Sequence, residues 1–405
     1  MTPLVDHTAA PLTDIKVLEL GQLIAGPYCG QVLADFGAQV IKVEPPGKGD
    51  AMRQWGEADR DTGEPLWWNV IARNKQSLTL DLRQPRGQSL LRELARVADV
   101  VIENFRPGTM ERWGLGYDAL SRDNSGLVMV RVTGFGQDGP YAARAGFASV
   151  CEAMGGLRYV SGYPDRPPVR VGISLGDTLA GLHAALGTLI ALHQRERTGR
   201  GQVVDSSIFE SVLAMMESLV PEYARAGKVR ERSGSFLPKI APSNAYPARD
   251  GRDVIIGANQ DTVFRRLCKA MGQPALADHP DYATHRARGE NQQAIDDLVA
   301  AWTRQHDAQQ VVDILAKAGV PAGLVYRAPD MLADPHFLAR EAIVEVPDRH
   351  GMPLPMQNVF PRLSRTPGTI RHVGPALGEH TDTILADWLG CDRAILDALR
   401  RDQVI

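Results

Sequence analysis

Short, nearly continuous apolar runs alternate with helix-periodic segments through the first third of this sequence, and that alternation restricts the fold more than any other feature. Ile15–Leu20 (IKVLEL) reads as a strand running into the loop GQLIAGPY; a helix through Gly30–Phe36 follows, then a second strand at Val40–Val43. The unit recurs. Gln88–Ala98 is amphipathic and leads into the apolar Ala98–Glu103 (ADVVIE), and Leu127–Val132 (LVMVRV) is a further apolar run bounded by turn signals. Strands apolar on both sides of the pleat need cover on both faces, the condition of a parallel sheet between helices. A doubly wound α/β fold is therefore expected here.

At 405 residues the chain exceeds one typical domain, and its composition changes along the way. From Asp177, DTLAGLHAALGTLIALHQRERTG places Leu179, Leu182, Leu186 and Leu189 at spacings of three and four, with arginines in the last turn and Gly199 closing it. Those are helix signals. A second apolar helix is expected over Ser206–Leu219, ending at Pro221. The stretch EYARAGKVRERSGSFLPK that follows is basic and poor in core residues, as in a linker. Ser243–Pro247 and Val254–Ala258 then flank Arg249-Asp250-Gly251, a hairpin signature. Helical segments at Asp261–Met271, Asn291–His306 and Ala308–Ala318 follow it, then GVPAGLVY. The expected organisation is a large domain over 1–222, a linker over 223–240, a small α+β domain over 241–328, and a return linker plus the rest of the large domain over 329–405. The last part is rich in Pro and Arg up to Pro375 and helical again from Thr381.

Charge excludes some partners. Lys plus Arg (45) nearly balances Asp plus Glu (48), a formal net charge of -3, without the basic excess or stripe of nucleic-acid and membrane-surface proteins. The opening MTPLVDHTAAPLTD lacks the regions of a signal peptide. No unbroken apolar run approaches roughly 18 residues, so no membrane span is expected. Cys29, Cys151, Cys268 and Cys391 lie far apart with no CxxC pair, which suits reduced thiols in the cytoplasm. No His, Cys and carboxylate cluster has ligand spacing, so no metal is expected.

Several motifs carry potential chemistry. Gly134-Phe-Gly136-Gln-Asp-Gly139 matches GxGxxG after a strand, but Pro140 follows at once, and Glu152 falls short of the ribose-binding acid expected about 20 positions on. A loop turn is the better reading. Gly172-Ile-Ser174-Leu-Gly176 matches GxSxG between a β-like run, Pro168–Val171, and a helix, as a nucleophile elbow requires. His372 or His380 would complete a hydrolase triad in chain order, although no HGG-type oxyanion segment lies upstream. Asp177 sits between that glycine-bearing turn and the long helix. Capping is the commonest role for Asp there, yet a carboxylate at such a place is also favoured as an anion and can serve as a nucleophile; the residues alone leave both open. Lys48, Lys75, Arg112 and Ile102–Gly108 (IENFRPG) read as loop positions at strand ends or before helices, where α/β sheets bind ligands and where cations suit a phosphorylated one.

Taken in order, VLELGQLIAGPYCGQVLADFGAQVIKVEPPGKGD, RNKQSLTLDL, DVVIENFRPGTMERWGLGY, TGFGQDGPYAARAGF, VGISLGD, TGRGQVVDSSIFE and GVPAG resemble the family III CoA-transferases (the CaiB/BaiF family), over roughly Pro11 to Trp388. The resemblance implies a Rossmann-like large domain plus a small domain, and two ring-shaped chains interlocked as a homodimer. It implies that Asp177 attacks an acyl-CoA thioester and passes through covalent aspartyl intermediates. Contacts to CoA would fall on Lys75, Asn104, Phe105 and Arg112, with Gln22 beside them. CoA enters as a thioester substrate, and no permanently bound cofactor is implied.

The chain departs from two branches of the family pattern. Ile24 stands where the formyl-CoA transferase pattern has glutamine before AGP, and GSFLPKIAPSNAY replaces its glycine-rich lid, so the acyl pocket is expected to differ. The 2-methylacyl-CoA racemases of the same fold need acid and base groups on both faces of the α-carbon. Their histidine after RAG is Phe147 here, and their glutamate after the second hairpin strand corresponds to Gln260. The chain looks closer to the succinyl-CoA-dependent branch. The expected reaction is transfer of CoA from succinyl-CoA to a dicarboxylic acid, with Arg144, Arg170, Arg232 and Lys239 as candidates for the distal carboxylate. Racemase and Ser174 hydrolase are the alternatives.

Overall fold

A computed structural model of the chain describes residues 10–405, so the expectation for the opening MTPLVDHTA lies outside the described residues. The chain forms two compact units: one holds the residues up to Leu157, Val171–Pro221 and Glu341–Ile405, the other Arg158–Arg170 and Glu222–Arg340.

The first unit is built on a six-stranded sheet in the order β3-β2-β1-β4-β5-β6. Its strands are β1 (Lys16–Glu19), β2 (Gln39–Glu44), β3 (Lys75–Thr79), β4 (Val100–Glu103), β5 (Val128–Thr133) and β6 (Val203–Ser207). Every pairing is parallel; Val17 sits opposite Val40 on one side and Val100 on the other. The pleat divides the apolar residues between two cores. Leu18, Ile41 and Leu78 pack with Leu90, Leu94 and Leu385, while Val17, Val40 and Val100 pack with Leu33, Ala180 and Ala184. This is the doubly covered α/β sheet that the apolar runs require.

Two strands run against the sequence reading. β3 is polar, and β6 occupies the start of the helix expected over Ser206–Leu219. That helix is instead a short one, Ile208–Leu213, and a later helix, Leu219–Ala226, runs through Pro221, which sits in its first turn where a proline costs no hydrogen bond. Side chains explain both strands: Ser77 donates to Glu44 at 2.7 Å and Ser206 to the Ala180 carbonyl at 3.0 Å, so their hydroxyls are satisfied in the interior. Within the Pro- and Arg-rich tail lies an unexpected antiparallel hairpin, β10 (Ile343–Pro347) with β11 (Pro353–Gln357).

The long helix Leu175–Thr198 closes at Gly199, whose φ of 70° gives the left-handed C-cap. By length and composition it could cross a membrane, which a search for unbroken apolar runs passes over. Here Ala180, Ala184, Ala185 and Leu192 are buried in the sheet's second core. It lies tightly on α1 (Ala25–Asp35): a Cβ on Gly181 would sit 2.6 Å from the Ala25 carbonyl oxygen.

The second unit holds an antiparallel sheet of β7 (Ser243–Pro247), β8 (Asp253–Gly257) and β9 (Ala322–Leu324) in that order. The expected hairpin forms with Gly251 at φ 79°. Helices Asp261–Ala270, Gln292–Thr303 and Ala308–Lys317 surround a core that includes Tyr246, Phe264, Leu267 and Val299. The boundary expected at 328/329 lies instead at 340/341. Residues 328–339 stay with this unit because Tyr326 bonds Asp334 and stacks 6.1 Å from Phe337, while Asp330 pairs with Arg252 at 3.5 Å.

Gly30 on α1 faces the wholly buried Glu19, and a Cβ there would lie 1.9 Å from Glu19 Oε2. Glu19 is pinned by two lysines and cannot retreat. Gly30→Ala is therefore expected to destabilise the chain by about 1–3 kcal/mol, read as a lowered urea midpoint. Gly172→Ala, where nothing lies within 4 Å, should leave the midpoint in place.

Candidate active site

Strand order turns between β1 and β4, so the connections leaving their carboxyl ends diverge and open a crevice, the place where such sheets bind ligands. A cleft of about 370 Å³ occupies this edge of the sheet. It is lined by Leu20 and Gln22 after β1, Val43, Glu44, Pro45 and Pro46 at the end of β2, Leu80–Arg83 after β3, and Phe105 after β4, together with Lys48 and Trp113. Phe105 and Trp113 meet edge to face at 5.2 Å. Apolar walls with two cations suit a ligand that joins a flat ring to phosphates. Arg83 bonds Asp81 and holds that carboxyl below its ordinary range.

The loop after β1 is tied to the loop after β4 by Asn104. Its Oδ1 accepts from the Gln22 N–H and its Nδ2 donates to the Gln22 carbonyl, both at 2.8 Å. The next amide, Phe105 N–H, donates to Glu103 Oε2 at 2.7 Å, and Arg131 bonds the other oxygen of Glu103 at 2.7 Å. Burial raises the Glu103 carboxyl above its ordinary value, and Arg131 offsets only part of that. Asn104 and Glu103 thus set the positions of Gln22 and Phe105.

Asp177 is the third residue of the long helix, and the N-cap position belongs to Ser174. The first turn is anchored from below by the buried Glu152, whose Oε1 accepts from the Gly176 N–H at 3.1 Å. Cys151 lies near enough that the Asp177 charge adds to burial in pushing its thiol up to about 11. Asp177 precedes Gly181 by one turn, about 6 Å along the axis, and Gly181 packs on Ala25, directly after the loop that carries Gln22. The carboxylate sits at the positive end of a 24-residue helix, which favours its anion.

The structure sorts the remaining candidates. Phe105 and Gln22 line the cleft, and Asn104 stands behind them. Arg112 is exposed and donates to Thr109 Oγ1 at 2.8 Å. Lys75 is displaced from its expected role as a loop cation: it opens β3, is 0% exposed, and its ammonium is held by Glu19 and the Pro27 carbonyl at 2.7 Å each. Burial lowers its pKa, with Glu19 opposing. Of the four basic candidates, Arg144 is in the first unit, stacked 3.6 Å over Tyr141, whereas Arg170, Arg232 and Lys239 belong to the second. Arg232 there donates to the Tyr159 carbonyl at 2.9 Å. Leu80–Arg83 escaped the sequence reading, since β3, the strand that delivers them to the cleft, is polar and was not read as one.

The alternatives lose their groups. Pro168–Val171 forms no strand, so Ser174 is not on a strand-to-helix elbow. His380 Nδ1 instead accepts from the Ser77 N–H, and His372 Nδ1 contacts the Val373 carbonyl. Gly134–Gly139 forms a loop with no helix opening at its third glycine, as expected. Phe147 is more than half exposed and Gln260 is the N-cap of Asp261–Ala270. Neither can exchange a proton at neutral pH. Among the described residues no group of three or more His, Cys, Asp or Glu could hold a metal ion.

Known proteins match this geometry. The chain is 58% identical over 395 residues to a succinyl-CoA--D-citramalate CoA-transferase of Chloroflexus aurantiacus, covering 98% of both chains. It is 42% identical over 402 residues to the beta subunit of succinyl-CoA--L-malate CoA-transferase from the same organism, covering 98% of this chain and 99% of that one. Among solved structures, a CAIB/BAIF family protein from Brucella suis superposes with a TM-score of 0.83 at 36% identity, over 94% of this chain and all of the other. Residues 12–381 match the pattern of CoA-transferase family III. The cleft, the carboxylate at the helix start and these relatives agree: the chain belongs to CoA-transferase family III and is a CoA-transferase.

Proposed function

We propose that this enzyme moves CoA from succinyl-CoA to a second dicarboxylic acid, with Asp177 as the covalent carrier. The observation that carries the reading is the position of Asp177: in the first turn of the long helix, three residues past the N-cap position, with the turn braced by Glu152. The donors and acceptors for which the two Chloroflexus relatives are named support the substrate class.

The steps balance without any external reagent. An Asp177 oxygen attacks the thioester carbonyl, the C–S bond breaks, and CoA leaves as thiolate from a mixed anhydride. The thiolate attacks the aspartyl carbonyl and expels succinate, leaving an aspartyl-CoA thioester. The acceptor carboxylate attacks that carbonyl and releases the thiolate, which then takes the new acyl group and returns Asp177 to its carboxylate. The cleft fits the nucleotide portion of CoA, with Phe105 and Trp113 for the ring and Lys48 and Arg83 for phosphates. Arg112, exposed nearby in sequence, is a further cation for the same ligand.

The protein is further proposed to act as a homodimer in the cytosol, where its thiols stay reduced. Leu182, Leu186, Leu189 and Ile190 form an exposed stripe at helical spacing on the long helix. An apolar stripe of that kind suits contact with a second copy.

Incubation with succinyl-CoA and hydroxylamine should convert Asp177 to a hydroxamate, seen by intact mass. Asp177→Asn should lose the adduct and roughly 10⁴-fold in kcat. No adduct with any acyl-CoA donor would sink the covalent reading. Among Arg144→Ala, Arg170→Ala, Arg232→Ala and Lys239→Ala, at least one should raise the acceptor KM by about tenfold; unchanged kinetics in all four would remove the dicarboxylate assignment. Leu186→Glu with Ile190→Glu should yield a monomer by light scattering, and a persistent dimer would move the interface elsewhere.

A further inference from the structure

Beneath the cleft lies a set of charges with almost no solvent contact. Glu19, Lys42, Asp50 and Lys75 are each 0–1% exposed. Lys42 Nζ stands 2.7 Å from Asp50 and 3.2 Å from Glu19, and Lys75 Nζ stands 2.7 Å from the other Glu19 oxygen. Two acids and two bases cancel, so the set has no net charge to stabilise. Well-packed apolar groups would serve stability as well or better. Geometry is what such a set supplies.

The geometry in question is that of the loop carrying Gln22. Lys42 Nζ donates to the Gly21 carbonyl, and Asp50 Oδ1 accepts from the Leu23 N–H at 3.0 Å. Between them, Asn104 takes both the N–H and the carbonyl of Gln22. Four successive backbone groups are thus satisfied by three side chains. Leu23 adopts φ 63°, a conformation that a branched side chain does not choose unaided. Asp50 is braced in turn, since its own N–H donates to Glu44 at 2.9 Å and Glu44 holds Arg53.

We infer that the Lys42–Asp50 pair is a positioning device for substrate binding: it fixes residues 21–23 so that Gln22 is aimed into the cleft at the bound CoA. Lys42 and Asp50 touch no ligand and act through Gln22. The inference rests on the cleft being the site proposed above for CoA. Charge outweighs burial at both partners, holding the Lys42 ammonium above its ordinary value and the Asp50 carboxyl below its own. Both therefore remain ionised at neutral pH.

Two charge-balanced double variants separate positioning from stability. Lys42→Met/Asp50→Asn removes the loop anchor and leaves the Glu19–Lys75 pair; Glu19→Gln/Lys75→Met removes the other pair and leaves the anchor. Each is compared with the unaltered enzyme for Tm, for CoA affinity by calorimetry, and for KM of succinyl-CoA, with and without Gln22→Ala. Both doubles should lower Tm. Only the loop-anchor double should weaken CoA and raise KM by about tenfold, and Gln22→Ala should then add almost nothing, whereas on the other double it should have its full effect. Equal losses in both doubles, or full additivity with Gln22→Ala, would overturn the inference. If the loop-anchor double does not fold, Asp50→Asn alone, which keeps an acceptor but not the charge, enters the same cycle under the same criteria. Failure of the unaltered enzyme to bind CoA would overturn the cleft assignment itself, a result distinct from the others.

Discussion

Everything at the functional edge depends on the parting of connections between β1 and β4. A parallel sheet whose order turns at one point has to send neighbouring connections to opposite faces, and the strand ends there are left uncovered by helices. The protein fills that opening with side chains that bind backbone: Asn104 across from β4 to the β1 loop, Lys42 and Asp50 from below. The floor of the crevice is thus polar and fixed, and its walls are apolar.

The role proposed for Asp177 makes two demands on the scaffold. A nucleophilic carboxylate must stay ionised, which the helix start favours by about 0.3–1 kcal/mol. It must also be held near its target without being consumed as a structural cap. Glu152 takes the Gly176 amide and braces the turn from the neighbouring helix. Close packing of Gly181 on Ala25 links the turn of Asp177 to the Gln22 loop.

The parts of this fold legible in the sequence were those governed by hydrophobic periodicity. β1, β2, β4 and β5 stand out as apolar runs, and the helices of the second unit as amphipathic ones. β3 and β6 did not, because KQSLT and VVDSS owe their burial to specific partners such as Glu19, Glu44 and the Ala180 carbonyl. Pairings across many residues leave no local trace. Lys75 illustrates the same limit at the site: among polar neighbours it reads as a surface cation, and only Glu19, fifty-odd residues earlier, makes it an interior one. Phe105 and Gln22 line the cleft, while Leu80–Arg83 were not singled out, because their place there follows from β3, which the apolar pattern does not reveal.

The ends of the sheet are tied to the end of the chain. Asp81, which lines the cleft, receives its backbone acceptor from Val404 at 2.8 Å; Gln84 bonds the Gln403 carbonyl, and His380 caps Ser77 on β3. Between β6 and these residues the polypeptide leaves for the second unit and comes back. The strand end beside the cleft is therefore completed by residues that follow the whole second unit in the chain, so removing the last helix and the residues after it would strip the Asp81 amide of its acceptor at the cleft's edge.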